Sequence, residues 1–256
     1  MNPELIVKIS LDIGAAMLKS GAETVRVEDT ISRICRCYYH GRLEVTSYLS
    51  AVFISMEVPD YEKYPGCPHI ITQHRRVSSL SNDLTKLEEL NALSRYVCQN
   101  TPDIPEIEKR LMEISDRHIS PYRLFSGYIC ASFAFTIFFG GTLLDGFCCI
   151  LVSIWMYFLD SNLKKHLNNE FVHGFLLSLA SGLPACLLQI ICPAIHMDKI
   201  MIGTVMLLIP GIALTNSLRD LLTGDLVSGS LKLLNSLLLA VAVAMGFALS
   251  MIITGV

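Results

Sequence analysis

Asn216, Arg219 and Asp220 fall within little more than one helical turn, just behind Pro210-Gly211 in the stretch MLLIPGIALTNSLRDLLTGD, Met206 to Asp225. On a continuous helix Asn216 and Asp220 share a face at i, i+4 spacing, and Asn216 and Arg219 at i, i+3. A guanidinium can hold a carboxylate through two parallel hydrogen bonds. A neighbouring aspartate can take an ammonium or a proton. Ionisable groups near a membrane path are expensive and mark solute or ion routes. The alternative is that Arg219 and Asp220 sit at the interface and pair with each other.

Pro210 lacks a backbone donor and clashes with the preceding turn, so a helix should kink or break there. Inside a bilayer, irregular backbone survives only where protein buries it or it lines a watery cavity. Transporters build mid-depth sites in this way. The candidate substrate-binding residues are therefore Pro210, Gly211, Thr215, Asn216, Arg219 and Asp220. A second interruption is expected at Pro184, in SLASGLPACLL behind Ser178, Ser181 and Gly182. Two ordinary kinked helices are the alternative, since proline is common in membrane helices. Asp145 and Tyr157 are weaker candidates that interfacial placement explains. His173 could relay a proton or rest at the interface.

The elements that must position these residues follow from charge. Residues 1–121 carry 31 of the 43 Asp, Glu, Lys and Arg side chains, leaving residues 122–256 with six bases and six acids. That asymmetry reads as a water-soluble domain followed by a membrane domain. A bilayer core of roughly 30 Å takes about 20 helical residues. Five segments are candidate spans, approximately Leu124 to Thr142, Leu144 to Phe158, Phe171 to Ile191, Ile200 to Leu214 and Leu231 to Thr254. The distribution of Lys and Arg places the amino-terminal domain and the second and fourth loops in the cytoplasm. An odd number of spans puts the carboxyl terminus outside. No cleavable signal peptide is expected, because acids interrupt the opening MNPELIVKISLDIG and no basic region precedes it.

The soluble half reads as α+β. An amphipathic helix is expected over residues 3–20 and a second over about Thr24 to Tyr38, with Thr24 as its cap. Leu43 to Val58 is β-branched and aromatic, one strand or two with a kink near Ser50. Pro59 to Pro68 is a turn, and His69 to Val77 an antiparallel strand. A helix capped by Ser81 or Asn82 follows, with Leu84, Leu87, Leu90 and Leu93 as its stripe. A short charged helix covers about Ile104 to Arg117.

Enzyme motifs are absent: no G-x-S-x-G, H-E-x-x-H or phosphate-binding glycine loop occurs. Cys35, Cys37, Cys67 and His69 are zinc-type ligands. However, C-x-C on a helix points its two side chains apart, which favours ordinary helix and turn residues. Nine scattered cysteines do not form a disulfide framework. No metal, cofactor or nucleic-acid partner is expected.

Two stretches carry a resemblance. GAETVRVEDTISRI (Gly21 to Ile34) and LLIPGIALTNSLRDLLTGD (Leu207 to Asp225) resemble the signature regions of the bacterial threonine/serine exporter family. The matching positions are Gly21, Glu23, Thr24, Arg26 and Glu28, then Pro210, Gly211, Asn216, Arg219, Asp220, Gly224 and Asp225. The resemblance implies a secondary exporter of small hydroxy amino acids in the bacterial plasma (inner) membrane, driven by a proton gradient or the membrane potential. Some split members are linked to dicarboxylate (succinate) export. It makes Glu23, Arg26, Glu28 and Asp225 signature or cytoplasmic-gate residues. Fused members have ten spans, so a chain of this length resembles a split member working with a small five-span subunit. A membrane-anchored sensor or regulator without transport is the competing class. The expected fold is thus an α-helical membrane domain of five transmembrane helices, residues 122–256, preceded by a small cytoplasmic α+β domain, residues 1–121.

Overall fold

The computed structural model describes residues 2–58, 69–77, 81–117, 119–167 and 169–255. The chain forms two compact units. Residues 1–118 group with 212–233, and 119–211 group with 234–256. The grouping differs from a simple cut at residue 121, because the late signature packs with the amino-terminal residues.

The first unit is helices around a small sheet. α1 (Pro3–Lys19) buries Ile6, Ile9, Ile13 and Met17, and α2 (Thr24–Tyr38) buries Val27, Ile31 and Ile34. These positions recur every three to four residues, so each helix turns one stripe inward. β1 (Leu43–Tyr48), β2 (Ala51–Val58) and β3 (His69–Arg76) form an antiparallel sheet in the order β1-β2-β3. Tyr48 pairs with Ala51, so Leu49-Ser50 is the turn of a tight hairpin and the long β-rich run is two strands. Along β2, Val52, Ile54, Met56 and Val58 face the core, while Phe53 stacks on His74 outside at 5.7 Å. This period of two is what a half-buried strand requires. α3 (Leu84–Asn100) and α4 (Ile104–Ser115) close the core with Leu90, Leu93, Val97 and Ile107.

Two caps differ from expectation. Asp83, rather than Ser81 or Asn82, caps α3 by accepting from the Lys86 N–H at 3.0 Å. Thr24 is not the cap of α2. Glu23 holds that position without a side-chain cap bond, and the Thr24 hydroxyl is used elsewhere. The Leu84 end of the predicted stripe is exposed.

The second unit is helical: α5 (Pro121–Phe138), α6 (Leu143–His166), α7 (Glu170–Ile191), α8 (Met197–Val205) and the carboxyl-terminal part of α10 (Leu226–Thr254). The expectation of five spanning helices is corrected. Among the described residues three helices are long and apolar enough to cross a bilayer: α6, α7 and α10. α5 has 18 residues, but Arg123 and several hydroxyl-bearing side chains dilute it. The expected fourth span is divided. α8 ends at Val205, residues 206–210 are not helical, and α9 (Gly211–Leu222) follows. At about 1.5 Å per residue, neither piece spans roughly 30 Å alone.

The expected break at Pro184 is also corrected, since α7 runs through it without interruption. Proline at 184 leaves the Ala180 carbonyl without its helical donor. The Trp155 indole N–H of α6 donates to that carbonyl at 3.0 Å. A neighbouring helix thus satisfies the freed group, which lets a membrane helix keep its proline. The small residues nearby serve packing. A Cβ at Gly182 would meet Ser250 of α10, and one at Gly246 would meet Ser178 of α7. Close helix contact through small residues is the ordinary means of association in lipid.

Candidate functional site

Both signature stretches are built at the ends of helices. Gly21 has φ +93°, donates its N–H to Leu18, and is followed by Ala22 N–H bonding back to Met17. Gly224 has φ +95°, donates to Leu221, and is followed by Asp225 N–H bonding back to Asp220. Each is the left-handed residue of a Schellman stop, a conformation glycine adopts without steric strain. The first stop turns the chain from α1 into α2, and the second from α9 into α10.

The two stops meet within the first unit. The Asn216 side-chain amide donates to the Gly21 carbonyl at 2.9 Å. Arg219 Nη1 donates to Glu23 Oε1 at 2.5 Å. Thr24 Oγ1 donates to Asp225 Oδ2 at 2.8 Å, and Asp225 Oδ1 accepts from the Ser228 N–H at 3.1 Å, starting α10 as an N-cap. Three consecutive bonds therefore join residues 21–24 to residues 216–225. The charges suit the helix ends. Glu23 and Asp225 stand at the positive amino-terminal ends of α2 and α10, and Arg219 lies in the last turn of α9.

Asp220 faces the other way. It is 1% exposed and accepts from Lys232 Nζ of α10 at 2.7 Å, with the lysine side chain only 10% exposed. Arg219 and Asp220 thus do not pair with each other. Arg219 is 64% exposed and Glu23 21%, so the outer ion pair is accessible and the inner one is sealed. Lys232 was a site residue that sequence reasoning overlooked. Its signal was being a lone base in a long apolar helix.

Glu28 joins the same cluster one turn along α2 from Thr24. Its Oε1 accepts from the Ser47 N–H of β1 at 2.7 Å, while the Ser47 hydroxyl donates to the Thr24 carbonyl at 3.1 Å. Burial pushes the Glu28 carboxyl above its usual range, against the Ser47 donors and with help from the nearby Asp225 charge. Asp225 goes the other way. Burial raises it, but the Ser228 N–H, the Thr24 hydroxyl and the Lys232 charge together bring it below the usual range. Glu28 also lines an open groove of about 590 Å³ between α2 and β1, with Asp29, Arg36 and Glu44 on its walls.

Thr215 and Arg26 are exposed on α9 and α2. Pro210 and Gly211 belong to the second unit, and a Cβ at Gly211 would meet open space. Cys35 is buried in the first core, and Cys37 Sγ faces the Arg33 carbonyl at 3.0 Å; Cys67 and the Pro59 to Pro68 turn lie outside the described residues. In the second unit, Asp145 is buried at the start of α6 and His173 lies in the first turns of α7. The Tyr157 hydroxyl donates to the Pro121 carbonyl at 3.3 Å.

The constellation holds an accessible guanidinium on one carboxylate, a hydroxyl on a second, and a third carboxylate whose pKa burial raises. No curated protein and no solved structure matches the chain. A family model described as "putative threonine/serine exporter" (ThrE) matches residues 8–254, nearly the whole chain and both of the stretches that meet at Arg219 and Glu23. The chain belongs to the threonine/serine exporter family.

Proposed function

We propose that this protein is one subunit of a secondary transporter that exports small carboxylated solutes, threonine and serine first among them. The observation that carries the reading is the Arg219–Glu23 pair, an accessible guanidinium held by a carboxylate from the other signature stretch. A substrate carboxylate competes with Glu23 for Arg219. When Glu23 is displaced, the hold between residues 21–24 and 216–225 loosens, so binding and gate opening are one event. Asn216 and Thr215 complete the substrate-handling segment of α9, and Asp220, sealed on Lys232, holds that segment against the start of α10. Glu23, Arg26, Glu28 and Asp225 form the cytoplasmic gate. An exposed pair of this kind is worth about 0.2–1 kcal/mol, small enough for a solute to exchange with it.

The protein sits in the bacterial plasma membrane with its amino terminus in the cytoplasm and works with a small five-span partner. The proton gradient or membrane potential drives export.

The test is counterflow of labelled threonine in vesicles holding this chain with and without the partner, challenged by serine, threonine and succinate. The reading expects uptake only with both subunits and competition by the hydroxy amino acids. Transport by the purified chain alone would remove the partner from the account. Ligand binding without any counterflow would make the protein a sensor.

A further inference from the structure

The second unit contains a buried ionisable cluster that the substrate-handling segment does not use. Asp160, in the last two turns of α6, is 3% exposed. Its Oδ2 accepts from the Tyr128 hydroxyl of α5 at 3.0 Å and from Lys164 Nζ at 2.6 Å. Its Oδ1 faces His173 Nε2 of α7 at 3.0 Å, outside hydrogen-bond alignment, and Nε2 is buried with no hydrogen-bond partner among the described residues.

We propose that Asp160 and His173 form a proton-binding pair that couples proton movement to transport, an inference that rests on the transporter reading above. With the neutral ring carrying its proton on Nδ1, Nε2 and the carboxylate oxygen are both acceptors, and at this separation they repel. A proton entering from water onto His173 Nε2 turns the contact into a charge-assisted hydrogen bond; leaving again, it restores the repulsion. The step transfers one proton and breaks no other bond. Tyr128 and Lys164 hold Oδ2 in either state, so the change falls on the α6–α7 contact alone. The proton belongs to the pair rather than to either residue.

Asp145, the other buried carboxylate of α6, shows what a saturated aspartate looks like. It lies 15 residues earlier, about 22 Å along the helix. It accepts from the Thr142 N–H and hydroxyl and from the His196 N–H, with His196 Nδ1 at 3.1 Å. Those bonds cap α6 and tie down the loop before α8, leaving no oxygen dependent on a single labile proton. Among the described residues, Asp160 Oδ1 faces only His173.

Other titratable groups leave the pair to itself. Arg123 on α5, Lys165 and His166 on α6 and Glu170 on α7 are exposed. The Tyr157 hydroxyl is turned to Pro121. Asp198 and Lys199 of α8 pair with each other, and Lys199 packs beside Gly141 at the opposite end of α6. The part of α10 in this unit contains no ionisable side chain.

The test compares Asp160→Asn and His173→Gln with wild type in vesicles holding the full chain and its partner. Two transport measurements are made: counterflow at equal pH, and accumulation driven by an imposed pH gradient. Both variants are expected to keep counterflow and lose pH-driven accumulation. Wild-type accumulation that ignores the pH gradient, or variants that still follow it, would overturn the pair. In parallel, pH-difference infrared spectra of the purified full chain in lipid should show carboxyl and imidazole bands that disappear in Asp160→Asn and shift in His173→Gln. If a variant loses both transport modes, these bands decide: unchanged bands overturn the proposal and missing bands support it. Absent transport in wild type defeats the transporter reading, and the infrared bands still judge the proton pair.

Discussion

Arg219 in the last turn of α9 reaches back 196 residues to Glu23, the residue that precedes the first turn of α2. Asn216 to Gly21 and Thr24 to Asp225 run alongside it, so the two signature stretches form one joint. If Glu23 and a substrate carboxylate compete for the same guanidinium, removing the Glu23 charge frees Arg219. Glu23→Gln should then lower the apparent KM for threonine by about 1.5- to 5-fold, the exchange equivalent of 0.2–1 kcal/mol. Initial export rates across a threonine series measure this. An increased KM would mean that Glu23 helps to bind substrate.

The inner pair should behave differently from the outer one. Lys232→Met strands the buried Asp220 carboxylate and should destabilise the protein by about 3–5 kcal/mol. Adding Asp220→Leu should recover most of that loss, because two apolar residues can replace a buried ion pair. Thermal or denaturant unfolding of the detergent-solubilised variants reads the difference. Equal stability of Lys232→Met and wild type would show that Asp220 is not sealed.

Much of the fold was legible in advance, and the limits were physical. Burial periodicity reveals α1, α2 and the strands, because the stripe of Ile6, Ile9, Ile13 and Met17 and the alternation from Val52 to Val58 are local patterns. Local pattern also made Thr24 an obvious cap. Its hydroxyl instead bonds Asp225, which no sequence neighbour announces. Pro184 and Pro210 look alike in sequence. They differ because Trp155 reaches the carbonyl that Pro184 frees, a contact made only once α6 and α7 pack. The candidate residues Asn216, Arg219 and Asp220 were visible from their types. Their partners Gly21, Glu23 and Lys232 were not, since pairing at long range is a property of the folded chain.

Glycine is required at both stops. Gly21→Ala and Gly224→Ala each place a Cβ in the left-handed region, at roughly 1–2 kcal/mol apiece. Gly21 should cost more, because its Cβ would stand 2.9 Å from Asn82 Oδ1 and 3.0 Å from the Ser81 carbonyl, whereas Gly224 faces open space. Unfolding midpoints of the two variants should rank in that order. The reverse order would show that the turn before α2 can relax.

The pH dependence has a definite sign. Burial raises the folded-state pKa of Glu28, so the folded protein binds this proton more tightly than the unfolded chain. The stability it contributes is full below the unfolded value of about 4.5 and is lost as pH rises through the higher folded value. Glu28→Gln should therefore be more stable than wild type at neutral pH, and the gap should close on acidification toward pH 4.5. Asp225 is lowered, so its contribution is present above the ordinary value of 3.8 and is lost only in stronger acid. Unfolding midpoints across this range separate the two carboxylates. A constant gap at every pH would mean that Glu28 is not raised.

The most direct test of the account is threonine export by Arg219→Ala, alongside Arg219→Lys, in cells that also express the partner subunit. Arg219→Ala should insert at wild-type levels, unfold within about 1 kcal/mol of wild type as an exposed pair implies, and export no labelled threonine. Arg219→Lys should retain part of the rate through its charge, without the two-pronged grip of a guanidinium. Wild-type export by Arg219→Ala would contradict the account by showing that the substrate carboxylate never meets Arg219.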